Sequence, residues 1–262
     1  MASIRIPSSS ARDIVQPGDL RITWLIARRG AVESLRDRMT VGISAIWALV
    51  VPFLVVLLVI APPASHGVSV NGAGNALGDL IATYLLVVGL MPSSGSIGIA
   101  AGLFAGEKEQ GTLLPLLATP ASNRAIFAGK VLAAVLPTFL YSGIAEVSYL
   151  AEIWLLVGAN TLRLLPLTLA VAMLVLVPAD AVLGAVVASL VSSRVRTYQS
   201  AQLLSSLALY PIMAALFGLA IEMRHWGPGA LVVVVGTIIA LDVLFIVLSA
   251  ATWQREEVMA RR

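Results

Sequence analysis

Cysteine is absent from the 262 residues, which excludes structural disulfides, thiolate nucleophiles and cysteine-ligated zinc or iron–sulfur centres. Histidine is scarce. The two copies, His66 and His225, fall in connections between the long apolar runs, so a serine–histidine hydrolase inside a membrane has no base and a transition-metal site lacks ligands. Gly95-Ser96-Ile97-Gly98 therefore reads as helix packing, not as a nucleophile motif. A phosphate loop is missing too: Gly129-Lys130 has no upstream glycine at the required spacing and is followed by Val131, so ATP is not expected to be bound or hydrolysed by this chain. Charge is low at 12% of residues, against 59% hydrophobic residues and a mean hydropathy of +0.95. Such a composition fits lipid as the solvent for most of the chain.

Long apolar runs are what the sequence has instead. About 20 apolar residues cross a hydrocarbon core about 30 Å thick, and six segments qualify: Val41 to Ala61, Leu80 to Leu103, Val131 to Val157, Leu164 to Val191, Ala201 to Ile221 and Ala230 to Thr252. The expected fold is an all-α integral membrane protein of six transmembrane helices. Pro92, Pro137, Pro166, Pro178 and Pro211 lie in or at the ends of these runs, as kinks that open a cavity or as static bends. Gly98, Gly102 and Gly106 form a small-residue stripe that admits a close neighbouring helix.

The basic residues sort by loop. Seven precede the first run, three lie between the second and third (Lys108, Arg124, Lys130), two between the fourth and fifth (Arg194, Arg196) and three follow the sixth, leaving Arg163 and Arg224 for the other side. Cytoplasmic loops are the ones enriched in Lys and Arg, so both termini are expected in the cytosol and the chain in a prokaryotic plasma or inner membrane. The net charge of +3 and a pI near 9.6 are then an orientation signal, and no nucleic-acid partner is expected. The start of the chain lacks an apolar run beside its first basic residues, so a cleavable signal peptide is not expected. Residues 1–19 read as a flexible leader and 256–262 as a cytoplasmic tail. Between the leader and the six-helix domain (40–255), residues 20–39 gather Trp24, Leu25, Ala31, Val32, Leu35 and Met39 on one helical arc and Arg29, Glu33, Arg36 and Asp37 on another. Arg28 falls inside the apolar arc. The pattern predicts an amphipathic helix lying on the inner leaflet.

The second cytoplasmic loop is the most informative stretch. It is charged at Glu107-Lys108-Glu109 and apolar afterwards, with Leu113, Leu116, Leu117 and Pro120 on one face of a short helix, and Ser122 poised to cap the helix that becomes the third span. A short helix at the cytosolic surface can press into a groove on a soluble partner and pass a rigid-body motion to the spans. Glu109-Gln110-Gly111-Thr112-Leu113, Leu116-Leu117-Ala118-Thr119-Pro120 and Gly129-Lys130, in that order after a second span, resemble the signature of ABC-2 type transporter permeases. Pro115 departs from the pattern, standing where the family more often has a helix-forming polar residue. The resemblance implies a dimer of permeases, identical or related, each docked through a coupling segment at 104–124 on a separate nucleotide-binding ATPase subunit that carries ATP and Mg. It places Glu107, Lys108, Glu109, Gly111 and Thr112 at that contact, and it implies export.

Four carboxylates fall within the runs: Glu146, Glu152, Asp180 and Asp242. A charge near the middle of a spanning helix costs about 2.5–3.5 kcal/mol even on lenient scales, and none of the runs contains a Lys or Arg. Glu146, Asp180 and Asp242 are accordingly expected either to line a translocation path or to be protonated and hydrogen-bonded between helices. They also keep open an ion-gradient-driven carrier as the alternative to an ATP-driven permease.

Overall fold

The computed structural model describes residues 19–65, 74–93, 95–112, 121–165, 167–226 and 228–252, and within these it is helical with no strand. The helices are α1 (Asp19–Arg36), α2 (Arg38–Ser65), α3 (Gly74–Ser93), α4 (96–109), α5 (Asn123–Leu156), α6 (Ala159–Leu162), α7 (Leu167–Ser192), α8 (Tyr198–Trp226) and α9 (Pro228–Thr252). Five helices among the described residues are long and apolar enough to cross a membrane: α2, α3 continuing into α4, α5, α7 and α9. The chain is thus a multi-pass membrane protein in its architecture. The expected fifth run lies inside α8, a 29-residue helix.

Two helices form the centre. Of their apolar windows, 67% of α5 and 61% of α7 is buried, against 22% for α2 and for α9. Ile81, Ile126, Tyr149, Ile153, Leu176 and Leu183 are among the fully buried side chains. The Tyr149 hydroxyl satisfies its own burial by donating to the Ile81 carbonyl of α3 at 3.1 Å.

Local chemistry sets the helix ends. Asp37 stops α1 by adopting an extended conformation, then caps α2 by accepting from the Thr40 amide at 3.0 Å. The expected helix through Met39 therefore ends at Arg36 and turns a corner. Ser122 caps α5 through the Ala125 amide, as its position predicts, and donates to Asp19 of α1 at 2.8 Å. Because the cap sits there, α5 starts about two turns before the expected third run, so Lys130 lies inside a spanning helix. In α2, π-helical turns at Ile46–Val50 and Val56–Ile60 flank Pro52, as expected where proline removes a ladder donor and crowds the preceding turn.

α1 is docked edge-on against α5. A Cβ at Gly129 would lie 2.8 Å from Ile26 Cβ and 2.9 Å from the Thr23 carbonyl oxygen, and one at Gly30 would lie 2.8 Å from Ala133 Cβ, so only glycine permits this approach. The packed face is the small-residue side, whereas Trp24, Leu25, Val32, Leu35 and Met39 of the predicted apolar arc are exposed. The small-residue stripe of α4 is used in the same way: Gly98 and Gly102 face Tyr198 and Gln202 at the start of α8.

Candidate functional site

The end of the bundle that carries α1, the end of α4 and the start of α8 is also the end rich in Arg and Lys. There α4 passes through a π-helical turn, Gly102–Gly106, into a last turn at Glu107–Glu109. Gly111 terminates it with φ +73° and its amide donates to the Lys108 carbonyl at 3.2 Å. A left-handed residue after a helix is best supplied by glycine, which gives the glycine of the Glu-x-Gly-Thr segment a physical reason. Thr112 closes the turn by donating from its hydroxyl to the Glu107 carbonyl at 3.3 Å.

The charged residues of this turn are tied to two other helices. Lys130 of α5, whose side chain is 1% exposed, donates from Nζ to Glu107 Oε2 at 2.7 Å and to the Leu103 carbonyl inside the π-helical turn at 2.5 Å. Its ammonium also lies 5.3 Å from the centre of the Phe104 ring. The carboxylate of Glu109 accepts from the Tyr198 amide, the first residue of α8, at 2.9 Å. Lys108 is half-buried. Of the five residues placed at the partner contact by resemblance, Glu107 and Glu109 thus serve first as internal ties. The apolar short helix expected at Leu113 to Pro120 lies outside the described residues. Lys130 is the residue that reading the sequence underrated, since its role depends on an acid 23 positions earlier.

Between α1, α2, α4, α5 and α8 lies a cavity of about 850 Å³. It is lined by Glu33, Asp37, Glu107 and Glu109 and by Thr138, Tyr141, Gln202, Ser206 and Tyr210. A second chamber of about 350 Å³ shares Ile43, Ser44, Pro92, Gly95 and Tyr210 with the first and adds Trp47, Leu90, Met91, Leu209 and Met213. Together they grade from polar to apolar along α2 and α8. Hydrogen bonds from the Thr40 hydroxyl and amide hold the exposed Asp37 carboxyl below the usual aspartate range.

No family model matches the chain, and no curated protein matches it either.

The mid-helix acids lie elsewhere. Glu146 sits against Gly89 of α3 and Met173 of α7, and its Oε1 is buried with no hydrogen-bond partner among the described residues. Asp180 of α7 and Asp242 of α9 are both buried. Glu152 accepts from Ser148 one turn earlier at 2.8 Å. Neither Glu146, Asp180 nor Asp242 lines either chamber.

Proposed function

We propose that this chain is the transmembrane subunit of an ATP-binding cassette exporter, with its basic end in the cytosol and α8 completing a set of six spans. A separate ATPase subunit docks on the 104–124 segment, and a second permease copy, identical or related, completes the transporter. The observation that supports this reading best is the tie between the loop and the bundle. The turn at Glu107–Glu109 is bonded to α5 through Lys130 and to α8 through Tyr198, and it borders the cavity. A push on that turn therefore reaches both helices through short charge-assisted bonds and reshapes the space between them. The segment's resemblance to ABC-2 permeases adds the nature of the pusher. In this reading the cavity, and not the three mid-helix acids, is the inner portion of the translocation path, and the α1 arc of Trp24, Leu25, Val32, Leu35 and Met39 rests in the inner leaflet.

The buried pair Asp180 and Asp242 is the observation that favours a gradient-driven carrier. One experiment separates the two. The chain is purified with any phosphate-loop ATPase encoded beside it, and ATP hydrolysis is measured with and without the chain in lipid vesicles. Co-purification with altered hydrolysis, lost on Glu109→Arg, is expected. A chain that moves cargo in response to an imposed proton or sodium gradient, with no ATPase bound, would overturn the proposal.

A further inference from the structure

The cavity carries charge of one sign. Its lining includes four carboxylates, Glu33, Asp37, Glu107 and Glu109, and no Lys or Arg. Lys130 compensates Glu107. Asp37 and Glu109 accept from the Thr40 and Tyr198 amides, yet neither they nor Glu33 has an ion-pair partner among the described residues. This runs against the surroundings, because α1 presents Arg21, Arg28, Arg29 and Arg36 on exposed positions of the same end. Arg29 and Arg36 lie one turn from Glu33 on their helix and still form no ion pair with it. The acids therefore face space and the cations face away from it.

Two further features describe what that space would hold. Tyr141, Tyr198 and Tyr210 stand in its wall, aromatic groups suited to cations, and the Ser34 hydroxyl is buried there with no hydrogen-bond partner among the described residues. The adjoining apolar chamber of Trp47, Leu90, Met91, Leu209 and Met213 offers room for a hydrophobic body. The main volume, about 850 Å³, is that of a site for a drug-sized molecule. It is far too large for a bare metal ion, and no group of three or more metal-ligating side chains is gathered among the described residues. A phosphate-bearing headgroup would be repelled by the carboxylates of the lining.

We infer that the cavity binds an amphiphilic organic cation, its charge held near Glu33, Asp37 and Glu109 and its apolar body directed past Tyr210 towards Trp47. This deepens the proposed function and takes its cytosolic orientation from it, but the binding step needs no ATPase. The test accordingly uses the full chain alone, in nanodiscs of zwitterionic lipid, with tetraphenylphosphonium and tetraphenylborate, which share shape and apolar surface and differ in the sign of charge. Saturable binding of the phosphonium above protein-free discs, with none of the borate, is expected. The triple variant Glu33→Gln, Asp37→Asn, Glu109→Gln retains hydrogen-bonding side chains at each position and should weaken phosphonium binding about tenfold. Equal binding of the two ions by the unaltered chain would overturn the inference, as would no binding of the phosphonium or an unchanged affinity in a folded triple variant. Cation binding by a chain that recruits no ATPase would defeat the proposed function and leave this inference standing.

Discussion

Two sets of acids share this bundle and live under different physics. Those at the basic end, Glu33, Asp37, Glu107 and Glu109, border an open cavity, where water or a ligand can solvate them and where Thr40, Lys130 and Tyr198 supply donors. Those in mid-helix, Glu146, Asp180 and Asp242, are wedged between α3, α5, α7 and α9 and line neither chamber. A carboxylate in a spanning segment is commonly read as functional because it is costly. In the proposed reading the costly acids are the packing ones, and the acids that would meet a cargo are near the end of the bundle.

The comparison breaks most visibly at Glu107, which belongs to the first set but supports a buried charge. Glu107→Ala leaves the Lys130 ammonium, 1% exposed, without its counter-ion, and should cost about 3–5 kcal/mol in unfolding measured in detergent. Lys130→Met leaves Glu107 at the cavity edge and should cost less. The double variant should recover much of the loss. Equal effects of the two single changes would mean that the pair is not buried as described.

A smaller effect sharpens the contrast from the other side. Glu146→Gln and Asp242→Asn should shift unfolding by about 1 kcal/mol, the scale of interhelical polar contacts in membranes, and leave transport intact. Loss of transport with unchanged stability in either variant would move the path from the cavity to the mid-helix acids.

The smallest effect concerns acid. Asp37 has its folded-state pKa depressed by Thr40, so its stabilisation of the α1–α2 corner is present above the ordinary aspartate value and is lost as pH falls through the lower folded value. Protection of the Thr40 amide against hydrogen exchange, taken relative to its intrinsic rate at each pH, should fall across that acidic window. Asp37→Asn keeps a capping oxygen and should abolish the pH dependence.

Much of the architecture was legible because it rests on local signals. The apolar runs located the spanning helices to within a few turns, and Ser122 announced the start of α5 through its capping chemistry. Lys130 was harder, because nothing near it in sequence shows that a π-helical turn of α4 brings a carbonyl and a carboxylate to its ammonium. The cavity was not legible at all. Its polar lining is divided among five helices, so Thr138, Gln202 and Ser206 look like isolated polar residues in apolar runs.

The absence of cysteine makes the central claim directly testable. Gln110→Cys places one thiol on the exposed turn beside Gly111, and its reaction with a membrane-impermeant maleimide is followed in right-side-out and inverted vesicles, with and without the ATPase subunit. Labelling confined to inverted vesicles and suppressed by the ATPase is predicted. Labelling from the outside, or labelling that the ATPase leaves unchanged, would contradict a cytosolic turn through which a separate motor drives the bundle.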